Sequence, residues 1–222
     1  QEIGGKRVPV EVAFNVSGNE VGFKVGEYDS SYQLIIDPTY VWHTFYGSGD
    51  GLNTGHAIAL DSAGNVYITG QSEASWAGPD GPVLDRPLHD FSSASNLFVL
   101  KLDSSGAYQW HTFFGAGNTF GFGIAVDGSG NVYVTGNSTA SWNGPANQTP
   151  RHGFLGNVSD IAVLKLDTNG AYQWHTFYGE SRFNGGYGIA LDGIGNVYIT
   201  GESNATWNGA SGQSPDNAFT GN

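Results

Sequence analysis

Short apolar runs separated by glycine-rich turns make up most of the chain. Apolar and polar residues alternate over 8–16 and again over 21–25, with Ser17-Gly18-Asn19 between them, and this pattern predicts a β-hairpin. A further apolar run at 32–36 stops at Asp37-Pro38. No segment keeps a helical period. The pattern therefore predicts an all-β protein with many tight turns.

Several motifs recur at a constant step. The motif Trp-His-Thr-Phe begins at Trp42, Trp110 and Trp174, at intervals of 68 and 64 residues. The motif Asp-x-x-Gly-Asn-Val-Tyr-x-Thr-Gly occupies 61–70, 127–136 and 192–201. The motif Val-Leu-Lys-Leu-Asp occurs only twice, at 99–103 and 163–167. Self-similarity at a fixed step indicates a protein built from repeated supersecondary units.

Each repeat has the composition of a propeller blade, because four short apolar strands are joined by tight turns. We predict a β-propeller-like fold of about three four-stranded antiparallel blades, each of about 65 residues, after an N-terminal β-hairpin segment. The predicted domains are an N-terminal β segment at 1–37 and propeller-type repeats at 38–222. The repeats divide into 38–103, 104–167 and 168–222, of which the last is incomplete.

The linked motifs also carry a family resemblance. The run G-x-G-I-A-x-D-x-x-G-N-V-Y-x-T-G, followed by V-L-K-L-D-x-x-G and W-H-T-F-Y-G, closely resembles the SBBP family of bacterial and archaeal β-propeller repeats. Residues 28–38 look like the leader that precedes such repeats in surface proteins. The resemblance implies a β-propeller fold and an extracellular setting, and it implies little about biochemical activity.

Composition narrows the classes of partner. The net charge is −12 with only 8 Lys and Arg, so we expect neither nucleic-acid binding nor attraction to anionic lipid. No stretch of about 18 apolar residues exists, so we expect no membrane insertion. Cysteine and methionine are absent and the first residue is Gln1, which favours an extracellular or cell-surface protein after removal of a signal peptide. Candidate N-glycosylation sites are Asn15, Asn137, Asn147, Asn157 and Asn204.

The polar motifs favour structural roles. An Asp-x-x-Gly-Asn turn offers one carboxylate where a calcium loop needs several, so we expect no cofactor and no Ca²⁺ at these turns. His43, His111 and His175 repeat in register, either as satisfied members of a sheet or as the lining of a channel. Their spacing matches no zinc or copper motif.

Two residue types could still serve function. Trp76, Trp142 and Trp207 lie in loops, where they either pack at a blade edge or bind a carbohydrate or a partner. Catalytic acids are candidates by elimination only: Asp85, Asp90, Asp160, Glu180 and Glu202. We find no nucleophile elbow, phosphate loop or zinc-protease motif, so we predict that the protein is not an enzyme.

The two ends of the sequence are complementary. The N-terminal part has strands of the Val-Leu-Lys-Leu and Trp-His-Thr-Phe types without the rest of a blade, whereas the third repeat lacks both. Candidate assembly residues are Leu34, Ile35, Ile36, Val41, Trp42, Thr44 and Phe45. We therefore predict an extracellular structural protein that self-assembles head to tail by β-strand complementation into a filament or ring. The alternative is a cell-surface adhesin with a carbohydrate-binding propeller, and a fragment of a longer propeller remains open.

Overall fold

The computed structural model describes residues 2–17, 20–32, 34, 41–92, 94–156, 158–180 and 182–220, with the side chains of 2, 7, 13–17 and 20–23 excepted. The chain forms two compact units, 1–42 and 43–222.

The first unit contains two antiparallel strand pairs. Strand β1 (Glu2–Ile3) pairs with β2 (Lys6–Arg7), and β3 (Val12–Ser17) pairs with β4 (Glu20–Val25). The β3–β4 pair occupies the two alternating runs seen in the sequence. Leu34 is half-buried and lies outside any strand, while Ile35 and Ile36 fall outside the described residues.

The second unit holds two four-stranded sheets and one two-stranded sheet, all antiparallel. The bounds of their strands are β5 Asn53–Leu60, β6 Val66–Ser72, β7 Asn96–Leu102 and β8 Tyr108–Phe114; β9 Thr119–Val126, β10 Val132–Ser138, β11 Asp160–Leu166 and β12 Tyr172–Tyr178; and β13 Asn184–Leu191 and β14 Val197–Ser203. A four-residue helix α1, Gly81–Leu84, and a 3₁₀ turn, Pro145–Asn147, lie in the inserts. The order of the strands within the two four-stranded sheets follows the prediction, and the described part of the third repeat has the first two strands of that order. The Trp-His-Thr-Phe strand is the last in its sheet, so the sheets cross the repeat divisions at 103/104 and 167/168.

The sheets are neighbours through their first strands. The ring nitrogen Nδ1 of His56 on β5 lies 2.9 Å from the carbonyl oxygen of Gly121 on β9. The rings of Phe122 on β9 and Tyr187 on β13 are 5.4 Å apart. One apolar core, including Leu97, Val134 and Leu164, spans the two four-stranded sheets. The strands therefore build a stack of blades with a continuous interior.

A glycine in the second strand of each sheet permits a β-bulge in the first. The register shifts between Gly55 and Ala57 on β5, and at the same place on β9 and β13. A Cβ added to Gly136 would lie 1.7 Å from the carbonyl oxygen of Phe120, and the equivalent distances at Gly70 and Gly201 are 1.8 and 2.0 Å. The glycine that closes Val-Tyr-x-Thr-Gly is therefore required by close backbone approach.

The inserts cover the outer edges of both four-stranded sheets. The Leu88 amide donates to the His111 carbonyl at 2.9 Å, and the Phe113 amide donates to the His89 carbonyl at 3.1 Å. The Arg151 and His152 segment makes the same pair of bonds with β12, at 2.9 and 3.1 Å. Each insert thus bonds to two backbone groups on the free side of its edge strand, β8 or β12, which hinders pairing of that edge with other chains.

The first Trp-His-Thr-Phe copy differs from the other two. Residues 41–48 form no strand, although the same motif is β8 in the first sheet and β12 in the second. The reason is pairing: β8 lies against β7 and β12 against β11, whereas no described strand of the Val-Leu-Lys-Leu type precedes residue 41. A strand is not stable without its neighbour in the ladder.

Candidate functional site

The Asp-x-x-Gly-Asn turns use their carboxylates internally. Oδ1 of Asp61 accepts the backbone N–H groups of Ala63 and Asn65, and Oδ2 accepts the Asn65 amide and the Tyr67 hydroxyl. Asp127 and Asp192 repeat these four bonds. Desolvation opposes ionisation of Asp61, but the hydrogen bonds outweigh it and lower the pKa of its carboxyl. The arrangement locks a turn.

The repeated histidines belong to a three-residue cluster, which we call the histidine socket. In the first sheet it comprises Tyr108, His111 and Trp76. The His111 imidazole stacks on the Trp76 indole, with ring centres 3.9 Å apart and planes inclined by 12°. Its Nε2 lies 2.9 Å from the Trp76 carbonyl oxygen, and its Nδ1 lies 2.8 Å from the Tyr108 hydroxyl. Strand β8 thereby fixes the insert.

The second sheet contains the same socket. His175 stacks on Trp142 at 3.8 Å and 12°, with its Nε2 2.9 Å from the Trp142 carbonyl and its Nδ1 2.7 Å from the Tyr172 hydroxyl. The two sockets agree within 0.1 Å in every distance, so the cluster is a property of the repeat. Trp76 and Trp142 therefore pack inside the fold. Both are buried, so neither is available to a soluble ligand.

The hydrogen bonds assign the protonation of these histidines. A carbonyl oxygen can only accept, so Nε2 carries the proton, and Nδ1 accepts from the tyrosine hydroxyl. Desolvation lowers the pKa of His111 to about 4, and the same cause lowers that of His175 to about 4. Burial together with the charge of Asp85 raises the pKa of Tyr108 to about 12, which keeps its hydroxyl a donor. The socket holds a neutral imidazole.

The third tryptophan lacks this partner. Trp207 is half-buried, and its ring stacks on no histidine among the described residues. A hollow of about 200 Å³ is lined by Ile161, Tyr178, Ile199 and Trp207. A wider cleft of about 580 Å³ is lined by Trp207 and Phe219, among other residues. The third repeat thus presents half of a histidine socket.

A second aromatic contact links each sheet to the next. The residue that follows Trp-His-Thr-Phe packs on the tryptophan of the following repeat: Tyr46 on Trp76 at 6.2 Å, Phe114 on Trp142 at 5.9 Å, and Tyr178 on Trp207 at 5.8 Å. Tyr46 therefore contacts the first sheet as Phe114 contacts the second, although residues 41–48 form no strand.

The first and last sheets expose faces that are covered inside the stack. Ile58 is 66% exposed, whereas its equivalent Ile124 is 8% exposed. Tyr198 is 57% exposed, whereas its equivalent Tyr67 is fully buried. Both end faces are apolar and of the kind that a neighbouring sheet covers within the molecule. Beside the second of them, the outer edge of β14 pairs with no described strand.

Residues 32–46, which the sequence predicted to take part in assembly and which we call the donor segment, include several exposed residues. Phe45 is 89% exposed, whereas Phe113 and Phe177, which hold the same place in the motif, are fully buried. Val41, His43 and Thr44 are exposed as well, and Trp42 is half-buried. Of the assembly residues expected from the sequence, Val41, Thr44 and Phe45 are therefore at the surface.

Three of the candidate acids accept hydrogen bonds from groups of the fold. Asp85 accepts the Asp80 amide, and Glu202 accepts the Tyr187 hydroxyl. Asp160 is buried at the start of β11, where it accepts the amides of Leu155 and Gly156, and desolvation raises its pKa. Among the described residues no group of three His, Asp or Glu side chains could hold a metal ion.

The candidate glycosylation sites differ in accessibility. Asn147 and Asn204 are exposed, while Asn137 lies on β10 and is buried. Burial makes Asn137 inaccessible to modification once the chain has folded, whereas glycosylation at the two exposed positions stays a prediction. The side chain of Asn15 and the whole of Asn157 fall outside the described residues.

In the part of the chain that is described, no helix has the length and apolar character to cross a bilayer.

Four-stranded antiparallel sheets stacked through their first strands define a protein built of β-propeller blades. Comparison with known families agrees. The model of the SBBP β-propeller repeat matches residues 41–75 and 109–141, so the chain carries SBBP repeats, as the motifs predicted. Residues 1–39 match a domain of unknown function, DUF7948. No curated protein matches the chain.

Sequence reasoning did not find the socket. The histidine and the tryptophan lie 35 residues apart in the first repeat, in a strand and an irregular insert. A signal was present, because Tyr, His and the insert Trp all recur once per repeat. The contact of Tyr46, Phe114 and Tyr178 with the next tryptophan was missed for the same reason.

Proposed function

We propose that this chain is a non-catalytic structural protein that associates head to tail, with residues 32–46 of one copy completing the last sheet of another. The observation that carries the proposal is the matched exposure at the two ends of the stack: Ile58 at one end, Tyr198 at the other, and Phe45 in the donor segment. Each is buried at its equivalent position. A heterologous contact between such ends closes into a ring or extends into a filament.

The repeats supply a template for the junction. Ile68 on β6 lies opposite Leu100 on β7, and Val134 on β10 lies opposite Leu164 on β11. The equivalent residue on β14 is Ile199, and alignment of Asp37 with Asp103 and Asp167 makes Leu34 the equivalent of Leu100 and Leu164. In the assembly Leu34 therefore lies opposite Ile199, and Ile36 lies opposite Val197. Trp-His-Thr-Phe follows as the fourth strand.

The composition supports the remaining features of the proposal. A surface with few charges and no sulfur suits an extracellular coat or fibre, and the acidic balance disfavours nucleic acid as a partner. The carboxylates of the turns are occupied by hydrogen bonds, which supports a role without calcium. Because two of the three insert tryptophans are buried, we favour assembly over carbohydrate binding by these residues.

Site-directed cross-linking tests the junction, since the chain has no native cysteine. Leu34→Cys and Ile199→Cys are placed in separate copies of different mass and mixed under mild oxidation. Opposed residues of an antiparallel pair are about 4.5–5.5 Å apart at Cα, which suits a disulfide. We expect a disulfide-linked heterodimer.

The matched control is Gln33→Cys mixed with Ile199→Cys, because neighbouring residues of a strand point to opposite faces. We expect this pair to link at least tenfold more slowly. Equal rates for the two pairs, or no heterodimer at all, would show that the strand is not donated in this register and would overturn the proposal.

A further inference from the structure

The half-socket at Trp207 differs from the other two sockets in that no described histidine stacks on its indole. Trp76 and Trp142 each receive an imidazole on the indole and a ring N–H on the backbone carbonyl of the same tryptophan. Trp207 follows Thr206 as Trp76 follows Ser75, and it packs on Tyr178 as Trp142 packs on Phe114. Trp207 therefore holds the same place in its repeat as the other two tryptophans, and the hollow beside it is lined by Tyr178 and Ile199.

The donor segment contains a tyrosine, a histidine and a phenylalanine at the spacing found in β8 and β12. Tyr40 precedes His43 by three residues, as Tyr108 precedes His111 and Tyr172 precedes His175. Phe45 follows at the place of Phe113, whose ring meets the Trp76 indole edge-on at 5.4 Å. His43 and Phe45 are exposed, whereas Tyr40 falls outside the described residues.

We infer that the half-socket is a binding site for His43 of a second copy, stacked on Trp207 with its Nε2–H donated to the Trp207 carbonyl oxygen. This inference rests on the proposed function and adds its recognition element. Within one molecule, Tyr46 packs on Trp76 of the first sheet. His43 precedes Tyr46 by three residues, so the histidine that binds Trp207 is the one from a second copy.

The site explains how strand addition becomes selective. Backbone hydrogen bonds along β14 accept any extended peptide, since every residue offers the same N–H and C=O groups. The half-socket accepts only a flat ring with a donor at the far nitrogen, placed three residues after a tyrosine. A strand displaced by one residue would turn its histidine to the opposite face and leave the Trp207 carbonyl without the ring donor. The socket therefore fixes both the partner and the register.

The test uses the cross-linked heterodimer, with ¹⁵N-labelled histidine in the Leu34→Cys copy only. A buried ring N–H that donates to a carbonyl exchanges slowly with water and gives a sharp downfield proton signal. We expect the labelled copy to gain one such Nε2–H signal on linkage, beside those of His111 and His175. The signal should disappear with His43→Gln, and it should shift with Trp207→Phe in the acceptor copy.

Controls separate the two proposals. His56→Gln in the donor copy removes a histidine whose ring contacts Gly121 on β9 of the same copy, and it should leave the new signal in place. His43→Gln should also slow linkage about tenfold, the effect expected for the loss of one buried hydrogen bond with its ring contact. Linkage at the native rate without a new signal would overturn the half-socket and leave assembly standing. Absence of linkage in every variant would overturn both.

Discussion

The histidine sockets make the stability of the fold depend on pH in a defined window. The folded pKa of His111 and of His175 is about 4, and the ordinary value is 6.5. Between these values the unfolded chain binds more protons than the folded one. The contribution is therefore fully present above pH 6.5 and is lost as the pH falls towards 4.

The magnitude follows from the shift. One pKa unit corresponds to about 1.4 kcal/mol, so lowering the pH to about 5 removes roughly 2 kcal/mol for each histidine, or about 1 kcal/mol after allowance for solvent screening. Two sockets together give a loss of about 2 kcal/mol between pH 7 and pH 5. The carboxylates of Asp61 and Asp127 have pKa values below 3.8, so the stability that they contribute is lost only at pH values below this window.

Urea unfolding followed by tryptophan fluorescence at half-unit pH steps measures this loss. His175→Gln removes one titrating group, and we expect the variant to lose about 1 kcal/mol less than the unmodified protein between pH 7 and pH 5. Asp160, whose pKa is raised by burial, acts with the opposite sign in both proteins and cancels in the comparison. If the variant does not fold, the shift of the His175 ring carbon proton in the unmodified protein reports the pKa directly. A pKa near 6.5 there, or an equal loss of stability in the variant, would refute the assignment.

Two further predictions concern the sheet and its surface. Gly136→Ala should lower the free energy of unfolding by about 3 kcal/mol or more, because the new Cβ would meet the Phe120 carbonyl, while Gly128→Ala, with no atom within 4 Å, should change it by less than about 0.5 kcal/mol; a small effect at Gly136 in urea unfolding would contradict the bulge geometry. When the chain is expressed with a secretory signal in a glycosylating host, peptide mass spectrometry should find glycan at Asn204 and none at Asn137, and occupancy of Asn137 in folded protein would contradict its burial.

The strands could be predicted from the sequence because each repeat contains the same apolar runs and the same turns. Val-Tyr-x-Thr-Gly and Val-Leu-Lys-Leu are short apolar runs between Asp-x-x-Gly turns, and local turn chemistry fixes such boundaries. Residues 41–47 show the limit of that reasoning. Their sequence is that of β8, but a strand exists only where a neighbour completes its hydrogen bonds, and that neighbour is not a local property.

The socket lay beyond prediction for a related reason. Trp76 sits in an insert without periodicity, so nothing local places it over His111. The contact depends on the insert turning back along β8, where the Leu88 and His89 backbone pairs with the strand. Tryptophan on a polar loop is read equally well as a ligand contact or as packing, and only the path of the insert decides between them.

The covered flanks of β8 and β12 limit the dimensions in which copies can associate. The chain's own inserts hinder sideways pairing at β8 and β12, so strand pairing with another copy, as proposed above, is directed to the edge of β14, which pairs with no described strand. Adding or removing a repeat then alters length and leaves the sides as they were. The number of repeats can therefore change during evolution without exposing new strand edges that would favour aggregation.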